Sequence, residues 1–170
     1  LAMHAFFIDS VQNPGRGLLM RYSSVTELIS QNPGAFAKGP IALVFAEDAV
    51  EIDTTVRHNL DLGFKSNILF IPSELDLAKD TAEHVIRVDN DITRRGNREE
   101  IVNAIIDKAP GVWMYVCYNA EYLFFPFCET RTIGELLAFH TEERRDAMLT
   151  YVIDLYAGDL DRYPDAVSLE

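Results

Sequence analysis

The sequence predicts an α/β domain with a mostly parallel central sheet flanked by helices, and three observations carry that prediction. Ile41-Ala42-Leu43-Val44-Phe45 and Asn67-Ile68-Leu69-Phe70-Ile71 are nearly unbroken apolar runs, which suit strands covered on both faces better than strands with one wet face. Between them Ile52, Val56 and Leu60 recur every four residues, while Glu51, Asp53, Arg57, His58 and Asp61 fill the other face. That period is helical, and a right-handed crossover makes the two strands it joins parallel. The alternation then repeats: a stripe of Ile101, Val102, Ile105 and Ile106 precedes the apolar run Trp113 to Cys117, read as a strand of the sheet's middle.

Composition narrows the class of function. The 170 residues, 48% of them hydrophobic, are enough for one domain with its own core. A net charge of -12 argues against nucleic acid and against an anionic membrane surface, because both recruit clustered Lys and Arg. No apolar run approaches the roughly 20 residues that span a bilayer. The N-terminus carries no charged region followed by an apolar core, so the expected location is cytoplasmic. Met3, behind Leu1-Ala2, is one candidate native start, and an excised fragment is the other. Cys117 and Cys128 lack Cys-x-x-Cys spacing and read as buried free thiols.

In chain order, residues 1–38 are expected to form an N-terminal arm packed on the domain, and 39–170 the α/β domain itself. The arm holds an apolar piece, Ala5 to Ile8, a glycine-rich turn from Asn13 to Gly17, and a capping box, Ser24-Val25-Thr26-Glu27, that opens a helix through Ile29. After the Ile41–Phe45 strand a helix is expected over 49–62, closed by Gly63. The Asn67–Ile71 strand stops at Pro72, and a third strand, His84 to Val88, runs into a polar loop from Asp89 to Gly96. Asn97 with Glu100 reads as a second capping box, opening a helix over about 98–109. Thr132 with Glu135 reads as a third, and Ala147 to Leu155 as a last strand.

The candidate site follows from the sheet. Neighbouring loops diverge at the carboxyl ends of parallel strands, so ligands settle there. Asn119 and Glu121 lie where the Trp113 strand should end, and Glu47 where the Ile41 strand ends. Glu47 either bonds a base or ribose or favours the positive end of the following helix. Asp89 and Asp91 either touch a ligand or shape a turn. Arg94 and Arg95 either form a guanidinium counter-charge to a diphosphate or a solvated loop. Glu121 either serves a ligand or bridges to Arg131 or Arg144. His58 and His140 read as surface or capping residues.

In the order and spacing of these elements, residues 39 to 157 resemble family-two glycosyltransferases of the short bacterial branch, with the GT-A nucleotide-diphospho-sugar transferase fold. Ala46-Glu47-Asp48, Leu62-Gly63-Phe64 and Pro72-Ser73-Glu74 stand where that family has an acidic strand end, a helix-closing turn and a Ser/Asp-rich loop. Val88-Asp89-Asn90, Gly96 and Asn103 look like its loop-glycine-Asn pattern. Trp113 to Tyr122 is similar to its Trp-x-x-x-x-Asp-x-Asp-Glu-Phe. The resemblance implies transfer of a sugar from a nucleotide-sugar donor to an acceptor, with Glu47, Glu74, Asp89, Arg94, Arg95, Asn119 and Glu121 around the donor. Ser73 and Asp76 share Glu74's candidacy for base or ribose contact. Where the family has its two metal-holding aspartates, Tyr118 and Ala120 stand. A manganese or magnesium ion is therefore expected only if other ligands join Glu121. The chain beyond Glu121 is short for an acceptor half, abbreviated or truncated, and Asp154 and Asp159 are its candidate catalytic bases. The alternative is a catalytically silent domain of this fold that binds a nucleotide or a partner protein.

Overall fold

A computed structural model describes residues 20–91, 94–155 and 157–164 of the chain. The Ala5–Ile8 piece, the Asn13–Gly17 turn, and Ile92 and Thr93 lie outside the described residues. The fold is α/β, with a five-stranded, all-parallel sheet and helices on both faces. Its strands are β1 (Met20–Tyr22), β2 (Ile41–Phe45), β3 (Ser66–Ile71), β4 (Ile86–Asp89) and β5 (Met114–Tyr118), in the spatial order β1-β4-β3-β2-β5. The helices are α1 (Val25–Gln31), α2 (Ile52–Asp61), α3 (Lys79–Ala82), α4 (Asn97–Ile106) and α5 (Ile133–Glu142).

The continuous apolar runs are the buried strands. Every residue of β2 is buried, as is all of β3 after Ser66. Alternation divides them between two cores. Ile41, Leu43, Phe45, Ile68 and Phe70 pack with Leu28, Phe36, Ile101 and Ile105 on one face; Ala42, Val44, Leu69 and Ile71 pack with Ile52, Val56, Ile133 and Leu137 on the other. Of the arm expected over 1–38, the described part contributes β1, parallel to β4, together with Leu28, Ala35 and Phe36 of the first core.

Helix α2 turns a slightly different face inward than its period predicts. Ile52, Thr55, Val56 and Asn59 are buried, whereas Leu60 is exposed, because the i, i+3, i+4, i+7 stripe rather than a strict four-residue repeat meets the sheet. In α1, Ser24 accepts from the Glu27 amide, but the Glu27 carboxylate reaches Ser23 instead of closing the box on Ser24. The box at Thr132 is complete.

Four expectations are corrected. The strand expected at His84–Val88 begins at Ile86, because the short helix α3 ends in a turn that holds the His84 amide on the Thr81 carbonyl. Asn97 is not a helix cap: Gly96, at φ 78°, holds that position, and the Asn97 side chain donates instead to Asn90 and to the Asp91 carbonyl. The aromatic strand does not lie in the middle of the sheet; β5 pairs with β2 alone and forms an edge. The segment Ala147 to Leu155 is a fourth correction, since it pairs with no strand and is exposed throughout. A β-prone sequence becomes a strand only against a partner edge, and none meets it here.

Candidate functional site

All five strands point the same way, so their carboxyl ends share one rim of the sheet. From β2 the chain steps outward through β3 to β4, then returns to place β5 on the opposite side of β2. The order therefore reverses between β2 and β5, and at such a switch point the loops leaving the two strands part to open a crevice. Those loops run over residues 46–51 and 119–132.

Asn119 ties the two loops together. Its Oδ1 accepts from the Glu47 amide at 3.2 Å, and its Nδ2 donates to Asp48 Oδ1 at 2.7 Å and to the Val50 carbonyl at 2.9 Å. The β5 loop then lies along the first turns of α2: the Ala120 amide donates to Thr55 Oγ1 at 2.9 Å, and the Tyr122 hydroxyl meets Thr54 Oγ1 at 2.8 Å. His58 Nε2 bonds the Leu123 carbonyl at 2.8 Å, with its ring edge-on to Tyr122. Three non-glycine residues take left-handed backbone in these loops, Glu51 at φ 52°, Ala120 at φ 61° and Phe127 at φ 68°. Such conformations are held by their surroundings and concentrate at sites.

The Glu121 carboxylate folds back on its own strand, accepting from the Tyr118 amide at 2.7 Å. The Tyr118 ring joins the opposite core, and its hydroxyl accepts from Arg98 Nη1 at 2.8 Å. Arg98 thereby brings a cation to the end of β5, itself paired with Glu99. The rest of the rim here is acidic: Glu47, Asp48, Glu51, Asp53 and Glu121. Beneath it, burial and then the Glu121 charge push the Cys117 thiol up to about 12. Cys117 stays a thiol and supplies no nucleophile.

The other sequence candidates lie elsewhere. Two strands from β2, the Asp89 carboxylate is clamped by Arg21 Nε at 2.9 Å and Arg87 Nε at 2.9 Å. Burial alone would raise this carboxyl, but hydrogen bonds and charge from the two arginines hold it below its ordinary value. Arg87 also donates to the carbonyls of Pro72, Ser73 and Leu75, fastening the β3 loop over the sheet. Asp76 lines a cavity of about 160 Å³ there, with Arg21, Leu77 and Arg87. Glu74 is exposed and accepts from Ser73 Oγ. Arg94 bonds Asn97 and Glu100, and Arg95 is exposed. Asp154 is exposed in the unpaired segment, and Asp159 Oδ1 closes a local turn on the Asp161 and Arg162 amides.

Glu47, Asn119 and Glu121 thus meet at the switch point; Asp89, Glu74 and the arginine pair do not join them through any contact among the described residues. Sequence reasoning missed Asp48, Thr54, Thr55, Tyr122 and Arg98, and it read His58 as a surface residue. Thr54, Thr55 and His58 at i, i+1 and i+4 of one helix were the available signal for a polar stripe toward the next loop.

The donor set does not fit a divalent ion. Among the described residues no three His, Cys, Asp or Glu side chains cluster to hold a metal. The Asn119 oxygen is turned onto a backbone amide and Glu121 onto another, whereas magnesium or manganese needs several free hard oxygens. No helix among the described residues is long and apolar enough to cross a membrane.

The fold and this rim define an open, parallel α/β domain with an acidic rim at its switch point. Comparison with known protein families, curated proteins and solved structures finds no match to this chain.

Proposed function

We propose that this chain is the donor-binding part of a glycosyltransferase, taking a nucleotide sugar at the crevice between β2 and β5 and passing the sugar to an acceptor. One observation carries the reading: the strand order reverses between β2 and β5, where Glu47 and the Trp113–Tyr122 stretch meet. The same residues carry the resemblance in sequence. In this reading the Glu47 carboxylate, for which no side-chain partner is found among the described residues, contacts the ribose or base. Arg98 supplies positive charge toward the diphosphate in place of a metal. The setting proposed is the cytoplasm, in keeping with two free thiols, Cys117 and Cys128.

A second reading, a silent domain that binds a nucleotide without transfer, is favoured by one specific feature. Asn119 Oδ1 and Glu121 Oε2 both accept from backbone amides, so the positions flanking the resemblance's metal site keep only Glu121 Oε1 to offer, too few hard oxygens for a metal.

Thermal unfolding with uridine and guanosine diphosphates and their sugars, with and without manganese, tests both readings. A ligand at one hundred times its Kd stabilises the fold by about 2.7 kcal/mol. Binding is expected without manganese and is expected to weaken on Glu47→Ala. Release of free sugar or its transfer to an acceptor separates the enzyme from the silent binder. Absence of any shift at millimolar nucleotide, under both metal conditions, would sink both.

A further inference from the structure

Two features are left over, and they complement each other. The first is the outer edge of β5. Within the β2 ladder the Ile41 amide donates to the Trp113 carbonyl and the Asn119 amide to the Phe45 carbonyl. Alternation along a parallel strand then turns residues 113, 115, 117 and 119 toward β2, and the peptide groups of Met114, Val116 and Tyr118 outward. The Tyr118 amide is closed by Glu121. Those of Met114 and Val116 meet no partner among the described residues, and Val116 is exposed. An open edge of this kind is a template for another strand.

The second feature is the segment Ala147 to Leu155. Its alternate residues Ala147, Leu149, Tyr151, Ile153 and Leu155 are all apolar, and it carries one charge, Asp154. That is the pattern of a strand with one buried face. Yet Leu149, Tyr151, Val152, Ile153 and Leu155 are 72–86% exposed. Helix α5 ends beside the start of β5, where Trp113 Nε1 donates to Thr141 Oγ1, and Arg144, at φ 55°, fixes the direction in which the chain leaves. The segment issues at the right end of the sheet to run parallel to a β5 edge, but it does not lie on its own.

We infer that the segment 147–155 of one copy adds as a sixth strand to the β5 edge of a second copy, and that the exchange is reciprocal. Each of the four exposed side chains on that face, Leu149, Tyr151, Ile153 and Leu155, would remove on the order of 100 Å² of apolar surface, so two exchanged strands, with the edges they cover, bury on the order of 1,000 Å² or more, the size at which specific interfaces begin. The paired stretches add almost no like charge to each other. The rest of each copy does, at a net charge of -12, so the association strengthens as salt screens that repulsion.

Light scattering on the chromatographed chain, over a range of concentrations and at low and high salt, reads the proposal. The expected result is a concentration-dependent dimer, favoured by salt, in which the Met114 and Val116 amides are slow to exchange hydrogen. Val116→Pro removes an outward donor and leaves the β2 ladder intact, and Ile153→Glu changes a side chain that is exposed in the single copy. Each is expected to weaken dimerisation at least tenfold while leaving the circular dichroism and melting temperature of the monomer unchanged. A chain monomeric at every concentration overturns the inference. So does a dimer that survives both substitutions, and so does a monomer whose Met114 and Val116 amides are protected, which would mean that the segment closes on its own sheet.

Discussion

Replacing Asn119 by Asp changes one atom in shape and reverses what the two loops exchange. In the native structure Nδ2 donates to Asp48 Oδ1 at 2.7 Å and to the Val50 carbonyl at 2.9 Å. In Asn119→Asp both become oxygen against oxygen. Two unit charges at that separation repel by about 1.5 kcal/mol in bulk-water dielectric and by about 6 at an effective dielectric of 20. Asp48 is exposed and Asn119 half-buried, which favours the lower part of that range. With the lost bond to Val50, worth about 1 kcal/mol, the expected destabilisation at pH 7 is about 2–4 kcal/mol. For a chain of this size that lowers Tm by about 5–15 °C. The sign with pH follows from the new carboxyl. Facing Asp48, it titrates in the fold above its unfolded value of about 3.9, so the variant is nearest the parent below that value and loses stability as pH rises through the folded value. Asn119→Ala, which loses the bonds without adding charge, shows a smaller deficit that does not follow this titration. Thermal unfolding at pH 4 and pH 7, in low and high salt, measures all of this. A deficit in Asn119→Asp that is equal at both pH values, or a Tm at pH 7 matching the parent's, would refute the loop-tying role.

Two further predictions concern packing and charge away from the crevice. Asp89→Asn leaves Arg87, with a side chain only 10% exposed, without its carboxylate, and is expected to cost about 2–3 kcal/mol at pH 7. Because the Asp89 carboxyl is held below its ordinary value, this stabilisation is full above the unfolded value and vanishes as pH falls through the folded one. Parent and variant should therefore converge in urea unfolding at low pH, and a gap that persists there would contradict the assignment. A Cβ at Gly39 would sit 2.7 Å from Val112 Cγ1 and 3.3 Å from the Trp113 carbonyl oxygen, so Gly39→Ala is expected to lose about 1–3 kcal/mol by overpacking the start of β5. An unchanged urea midpoint would show that this contact yields.

Burial on both faces was legible, and that is why β2 and β3 stand within a residue of where their apolar runs predict them. Position within the sheet was not. The Trp113 strand is as aromatic and apolar as a central strand because one of its faces packs on Phe64, Ile133 and Leu137; an apolar pattern records covered faces and says nothing of how many strands stand alongside. Ala147 to Leu155 shows the same blindness from the other side, since its alternation records a local preference and its strand state depends on an edge that local sequence does not specify. At the rim, Asn119 and Glu121 were visible as polar residues ending an apolar run. Their partners were not, because Asp48 reaches Asn119, and Thr54 reaches Tyr122 of the same loop, across 71 and 68 residues of chain.

That separation has a chemical consequence for the crevice. Bonds joining two distant loops fix its shape before any ligand arrives, which lowers the ordering cost of binding. One of those bonds turns the Asn119 oxygen onto the Glu47 amide, and a local bond turns Glu121 Oε2 onto the Tyr118 amide, so these side chains hold the shape of the rim. In the proposed reading, recognition falls to the Glu47 carboxylate on the β2 side and the Arg98 guanidinium, already leaning on the Tyr118 hydroxyl, on the β5 side. One negative and one positive group suit a ligand with hydroxyls at one end and an anion at the other. A nucleoside diphosphate is such a molecule, with the ribose hydroxyls as donors to Glu47 and the phosphates as acceptors from Arg98. On this arrangement Glu47→Ala and Arg98→Ala should each weaken nucleotide binding, but only the loss at Arg98 should shrink with rising salt, because only that contact joins two opposite charges.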